Sequence, residues 1–397
     1  MAESKEKKLK ILQLPSWYLP EGGLFCLNQT KALQKAGLEV DILANVVLPW
    51  RKYKLNIFKF PLKSFTSVED GVKTFRYYSW KYPLVDIPNI KKWVRKTVDL
   101  FDAYIEKHGR PDMIHVHSCM WAGVAAARIK KKYGIPYVLT EHRARFSPLS
   151  EYSRSLIKEE YTPFFIESFS NADFIIPVSK QITPKIKEFS SNVPVKVISN
   201  ITRTDFFCLN PQQRGSRNTF VFFTSNSFIH SKAYDILLPA FDIVCSKHDN
   251  VELRIAGNGF SKDDFLKILK ETQHFDKIFF CGLLSHDGVR NELWNADTFV
   301  LASRTESQSQ STLEALSTGL PVVVTEVVPE EIFSSDLGYR VPVENIEMLA
   351  EKMCKVIENR HSYDSKIIRE HIIQITSEEI IARQIIEIYN KILNEHA

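Results

Sequence analysis

Two carboxylates with seven residues between them, Glu306 and Glu314, stand in the stretch DTFVLASRTESQSQSTLEALSTGLPVVVT, residues 297–325. Segments 298–302 and 321–324 are short apolar runs of strand type. Between them Ser311-Thr312-Leu313-Glu314 has the spacing of a capping box, which predicts the start of a short helix. Gly319, Leu320 and Pro321 then end that helix. The unit is strand, polar loop, helix, strand, a parallel crossover. Its loop lies at the carboxyl end of a strand and the amino end of a helix, where free N–H groups and the helix dipole favour an anion. A carboxylate pointing into such a site repels phosphate, but one that reaches past the anion can accept from hydroxyl groups, as on a ribose or a hexose. On the local pattern alone, Glu314 caps the helix and Glu306 is a solvated loop residue.

The whole string E-x7-E-A-x-x-x-G-x-P-V-V decides between these readings. It resembles glycosyltransferase family 4, retaining nucleotide-sugar transferases of the GT-B fold. In that fold two Rossmann-like doubly wound α/β domains face each other across a cleft. The resemblance extends to the first crossover, where strand 10–14 leads into PSWYLPEGGLF, a helix from about Cys26 to Ala36, and strand 40–44. Small residues at a strand's carboxyl end let a ligand approach the backbone, and the resemblance turns Gly22 and Gly23 toward a donor sugar and phosphate. The string G-I-P-Y-V-L-T-E-H is similar to the family segment whose histidine, here His142, contacts the donor sugar. Arg143 and Arg145 follow it on the acceptor side.

The resemblance implies an enzyme that moves a hexosyl or N-acetylhexosaminyl unit from a UDP- or GDP-sugar to a hydroxyl of a glycan or lipid-linked acceptor. The departing diphosphate then needs charge stabilisation. No Asp-x-Asp motif stands in a suitable place, so the expectation is no bound metal and no cofactor. The task passes to the backbone of Ser309, Gln310 and Ser311 and to Lys232, whose K-A-Y-D context matches the family's K-G-x-D with Gly replaced by Ala. By resemblance Glu306 binds the sugar hydroxyls, Glu314 the ribose, and the backbone of Gly282 and Leu283 lies near the base. Asn226-Ser227 stands where the family commonly carries Gly-Arg. Neutral donors do not replace a guanidinium, so Arg203 or His230 compensates or leaving-group stabilisation is weaker. This departure motivates the alternative of a non-catalytic nucleotide-sugar-binding GT-B subunit.

These elements are carried by a chain of 397 residues, 44% hydrophobic, enough for two domains. Residues 1–205 with a returning helix at about 378–397 form the predicted acceptor-side domain, and 206–377 the nucleotide-sugar domain, joined by the polar segment 200–218. Further strands are expected at 113–117, 137–140, 173–178, 195–199, 220–223, 253–256 and 278–281, and helices at 120–132 and 378–393. Residues 46–110 show no clear regularity. No run approaches the ~18 apolar residues of a membrane span, and the charged N-terminus lacks an apolar signal region. Six scattered cysteines without a C-x-x-C pair point to a reducing compartment, by default the cytoplasm.

Charge is uneven. Residues 1–205 hold 33 Lys+Arg against 20 Asp+Glu, and the remainder 19 against 27. Aromatic and basic residues interleave at 50–63, and Lys91, Lys92, Arg95 and Lys96 surround Trp93. Such a surface suits anionic lipid headgroups at the inner membrane face or an acidic acceptor, while a solvated basic face is the plainer reading. No nucleic-acid recognition motif is present.

Overall fold

The computed structural model describes residues 8–49, 53, 60–61, 63–81, 85–149, 157–212, 217–259 and 263–396. Of the aromatic–basic run at 50–63, only Tyr53, Phe60, Pro61 and Lys63 fall among them. Strands β1 (Lys10–Pro15), β2 (Glu39–Val47), β3 (Phe65–Glu69), β4 (Val72–Ser79), β5 (Met113–His117), β6 (Tyr137–Glu141) and β7 (Phe174–Pro177) form the first sheet. Their order is β3-β4-β2-β1-β5-β6-β7, parallel throughout except for the β3–β4 hairpin. With it run helices α1 (Leu24–Lys35), α2 (Asp86–His108), α3 (Val124–Tyr133), α4 (Thr162–Ser170) and α5 (Thr183–Lys187).

The second sheet comprises β8 (Phe220–Ser225), β9 (Val251–Ala256), β10 (Ile278–Gly282), β11 (Thr298–Leu301), β12 (Val322–Thr325) and β13 (Gly338–Val341). It is all parallel in the order β10-β9-β8-β11-β12-β13. Its helices are α6 (Tyr234–Cys245), α7 (Asp263–Glu271), α8 (His286–Asn295), α9 (Gln310–Ser317), α10 (Ile346–Glu358) and α11 (Ser365–Thr376). The chain ends on α12 (Glu378–His396).

Inner strands such as ILQLP and VVVT are buried on both faces, which is why they read as continuous apolar runs and not as alternating ones. On one face of the first sheet Leu12, Leu14, Ile114 and Val116 pack against Trp93 and Phe101 of α2. On the other, Ile11, Val40 and Val138 meet Ala32 and Leu33 of α1 together with Ile381, Ile385 and Tyr389 of α12. The terminal helix thus crosses back from the second sheet to complete the core of the first. Strand order reverses between β1 and β5 in one sheet and between β8 and β11 in the other. Ligands bind outside the carboxyl ends of the strands at such reversals.

Three local expectations need correction. Residues 46–110 hold the β3–β4 hairpin and the long helix α2, whose apolar stripe is masked in sequence by interleaved lysines. Residues 120–132 begin as an irregular turn at Cys119–Gly123 and become helical only in α3. Segment 195–199 is not a strand. It makes one bridge, Ile175 to Val195, with the Ile198 N–H donating to the Pro177 carbonyl. Pro177, which closes β7, has no N–H to continue the ladder.

Candidate active site

Helix α9 starts two residues earlier than the capping box predicts. Its N-cap is Ser309, in the left-handed conformation (φ 66°), with its hydroxyl 2.8 Å from the Thr312 hydroxyl. Ser309 can turn the chain there because its short polar side chain bonds locally. Ser311 therefore sits in the first turn and Glu314 beyond it, so Glu314 is not a cap. The first amides of α9, at Gln310 and Ser311, are the ones an α-helix leaves without internal acceptors.

Glu314 and Gln310 form one wall of a cleft of about 390 Å³. The facing wall is the β1–α1 loop with Trp17, Gly22 and Gly23 together with Phe25 from the first turn of α1, and the floor is Asn200, Ile201 and Arg203. Gly23 caps α1 at φ 86°, and a Cβ there would stand 2.6 Å from the Trp17 carbonyl oxygen, so the tight loop requires glycine. Ser16 fastens this loop: its hydroxyl accepts from the Trp121 and Ala122 amides (2.9 and 3.0 Å). Burial pushes the Glu314 carboxyl up to about 8, against an opposing pull from Arg203. A half-buried carboxylate at a cleft wall with so shifted a titration marks a candidate functional site.

Beside the cleft, Glu306 bonds the Lys232 ammonium and accepts from the Ser303 hydroxyl at 2.9 Å. Both members of the pair are largely buried. Lys232 closes a short turn before Ala233, whose φ of 49° occupies the position of the family's glycine. Arg304 clamps this region together. Its backbone N–H donates to the Ser231 carbonyl, and its guanidinium reaches the His230 carbonyl (2.7 Å), Asp235 (2.6 and 2.9 Å) and Glu344. Burial pulls the Arg304 pKa down, but Asp235 and Glu344 more than offset it, so the guanidinium stays charged.

Opposite, β5 and β6 deliver a column of imidazoles. His115 and His117 share a strand face because they are two residues apart, and His142 follows β6 next door. The rings stack at 5.0 and 5.2 Å between centroids, and Phe25 stacks on His142 at 4.0 Å. His115 meets Tyr389 of α12 (2.5 Å) and Thr140 (2.7 Å), and His117 meets Gln13 (2.7 Å) and His142 (3.0 Å). With Gln13 Oε1 accepting from His117 Nε2–H, His117 Nδ1 becomes the acceptor for His142 Nε2–H. His142 Nδ1 then keeps its lone pair. Burial pulls His142 down to about 4, against Glu141 and Asn200, which pull it up. It also pulls His115 to about 3 and His117 well below its ordinary value. All three are neutral at physiological pH.

The two sheets touch through the Glu306 loop. Gln181 Nε2 donates to the carbonyls of Glu306 (3.0 Å), Ser307 (3.3 Å) and Val327 (3.0 Å), and the Asn200 N–H donates to Gln308 Oε1 at 2.8 Å. Gly22, Gly23, Gln310 and Glu314 thus line one cleft, with Lys232 and Glu306 paired in the loop beside it. Arg143 lies over the Trp17 ring at 4.4 Å, in the adjoining cavity. Arg145 sits in a short turn after His142 and lines neither cavity. Asn226 and Ser227 follow β8, held by Gly257: a Cβ at Gly257 would fall 2.0 Å from the Asn226 carbonyl oxygen. Gly282 and Leu283 are exposed at the end of β10, Gly282 accepting from the Gly257 N–H, and neither lines the cleft.

Of the two residues named from the sequence as compensating for the missing Gly-Arg, Arg203 reaches the cleft from what reads as linker, whereas His230 is engaged with Arg304. Asn200, His286 and Arg304 escape sequence reasoning because they carried no periodic or motif signal. His115 and His117 carried one, as alternate residues of a five-residue strand.

Residues 23–206 match the family model described as Glycosyltransferase Family 4, and 217–359 the one described as Glycosyl transferases group 1. The putative teichuronic acid biosynthesis glycosyltransferase TuaC of Bacillus subtilis is 25% identical over 341 residues, covering 80% of this chain and 81% of that protein. Among solved structures, sucrose-phosphate synthase of Thermosynechococcus elongatus superposes with a TM-score of 0.78 at 18% identity, over 97% of this chain and all of that one. Anabaena HepE, in complex with UDP and glucose, gives 0.71 at 17%, over 96% of this chain and all of that one. With both domain models matched in order and the two facing sheets in place, the chain belongs to the GT-B glycosyltransferases of family 4.

Proposed function

We propose that this glycosyltransferase moves a sugar from a UDP- or GDP-linked donor to a hydroxyl of a glycan or lipid-linked acceptor, with retention and without a required metal. The observation that carries the reading is the cleft itself, where the amino end of α9 and Glu314 face the Gly22-Gly23 loop across the Arg203 floor. That HepE binds UDP and glucose on the same fold supports a nucleotide-sugar donor. In this reading the diphosphate meets the α9 amides, Lys232 and Arg203. Glu306 accepts from the sugar hydroxyls and Glu314 from the ribose. Neutral His142, held by His117 and Phe25, orients the sugar. The acceptor oxygen bonds to the anomeric carbon as its bond to the diphosphate breaks, and the acceptor proton passes to the departing diphosphate. Arg203 stands in for the guanidinium that Asn226-Ser227 lacks.

A second reading, a nucleotide-sugar-binding subunit without turnover, rests on that replacement and on Lys232 being held by Glu306. A panel of UDP-, GDP- and ADP-sugars, with and without EDTA, separates the two. The expected result is one donor that raises the melting temperature and is slowly cleaved despite EDTA. His142→Ala then lowers cleavage by about a hundredfold with nucleotide binding kept. Stabilisation by nucleotide with no cleavage, even with crude lipid acceptors added, selects the second reading.

A further inference from the structure

The cleft does not end at Trp17. That indole also walls a second cavity of about 230 Å³, which in turn shares Val47, Lys81 and Trp121 with a third of about 180 Å³. The third shares Lys92, Arg95 and Asp99 with an open groove of about 620 Å³ that ends at Lys91 and Arg128. Each space adjoins the next through these shared side chains, and the series, a trough divided by them, runs from Trp17 and Arg143 at the cleft to the outer side of α2. From Pro88 to Asp99 the helix alone supplies about 17 Å of its length.

Two properties describe what fits there. The first is charge: beyond the cleft the trough presents Lys81, Lys91, Lys92, Arg95, Lys96 and Arg143, and against them only Glu21 and Asp99 among its lining residues. Low-dielectric walls of one sign concentrate an oppositely charged ligand. The second is flat apolar surface: the Trp80 and Trp121 rings are half-buried, Lys81 lies over Trp121 at 4.9 Å and Lys96 over Tyr77 at 4.3 Å. The cations stacked on these rings offer an acidic substituent a counter-charge, and the exposed part of each half-buried indole offers apolar surface to the C–H face of a sugar ring. The trough is concave, and along α2 no large apolar side chain is exposed. A helix that seats itself in a bilayer needs such side chains to insert.

We propose that the trough is the acceptor subsite and that it takes an acidic glycan, a chain bearing carboxylate or phosphate groups. Its accepting hydroxyl lies at Trp17 and Arg143, and its body lies along α2. This deepens the glycosyl-transfer reading of the cleft and rests on it.

The test uses the full chain and three probes: a hexamer of galacturonic acid, uncharged maltohexaose, and phosphatidylcholine vesicles containing phosphatidylglycerol. A single-stranded oligonucleotide serves as a polyanion control. The acidic hexamer is expected to quench tryptophan fluorescence and to bind about tenfold more tightly than maltohexaose, weakening as salt rises. The exposed double variant Lys91→Glu, Arg95→Glu loses about tenfold of that binding, and Arg95→Gln, chosen in case the reversal disturbs folding, loses part of it. Equal binding of acidic and neutral hexamers, or binding untouched by both variants, overturns the proposal. So does an oligonucleotide that binds as tightly, or vesicle binding without hexamer binding, which makes the surface a membrane contact. Stabilisation of the unmodified protein by UDP or GDP, read in parallel, reports on the cleft alone. A protein that takes the nucleotide and ignores the hexamer refutes only the subsite. One that binds the hexamer and no nucleotide refutes the donor reading.

Discussion

Glu314→Gln should stabilise the ligand-free protein, and by an amount that grows with pH. The wild-type carboxyl titrates at about 8 in the folded state, against an ordinary value of 4.5. Below 4.5 it is protonated in both states and costs nothing. Above 4.5 the unfolded chain releases the proton while the folded chain holds it, so stability is lost as the pH rises through the folded pKa. Two and a half pH units at about 1.36 kcal/mol each cost about 3 kcal/mol at pH 7, rising to over about 4 near pH 8. Gln fills nearly the same volume and carries no charge, so the variant escapes this term. In thermal melts the variant should match wild type at pH 4.5 and exceed it by roughly 6–12 °C at pH 7 in the transition of the second domain. A difference that stays flat between pH 4.5 and 8, or that favours wild type at pH 8, would refute the burial argument. A carboxylate that costs its own domain this much is what a site kept for a ligand looks like.

The histidine column predicts the opposite pH dependence in the first domain. His115, His117 and His142 fold neutral with depressed pKa values, so the stability they permit is present above about 6.5 and is lost as the pH falls toward 4. Three groups give a slope of about 4 kcal/mol per pH unit at most, and His117→Gln should make denaturant midpoints between pH 6 and 4 visibly less pH-dependent; an unchanged slope would mean the column titrates normally. Arg304→Met removes a buried guanidinium whose partners Asp235 and Glu344 are more exposed. Denaturant unfolding should show a loss of about 2–3 kcal/mol, short of the full penalty for a fully buried pair. Donor cleavage should fall with it as the Lys232 turn loosens, and full activity in Arg304→Met would show that the clamp does not position Lys232.

How far the chain could be read without coordinates depended on whether the signal was local. Apolar runs such as 298–301 and 322–324, the stop at Gly319 and the glycine loop after β1 are consequences of short-range sterics and burial, so the crossovers were legible. The E-x7-E string, the Gly-Gly loop and the Thr-Glu-His step were legible for the same reason, and the family followed from them. Helix α2 was not, because its apolar stripe is interrupted by the lysines that build its outer face, and segment 195–199 was overcalled because Pro177 denies it a ladder. Which side chains meet was settled by packing between distant segments. Gln13, Thr140 and Tyr389 lie far apart along the chain yet meet one pair of imidazoles, and Arg203 joins Glu314 in a cleft made by two domains. Glu314 itself passes from helix cap to half-buried cleft acid because Ser309 takes the left-handed turn and starts the helix early. Sequence periodicity reports what each element buries; the partners across a cleft, and the titrations they shift, exist only once the elements are packed together.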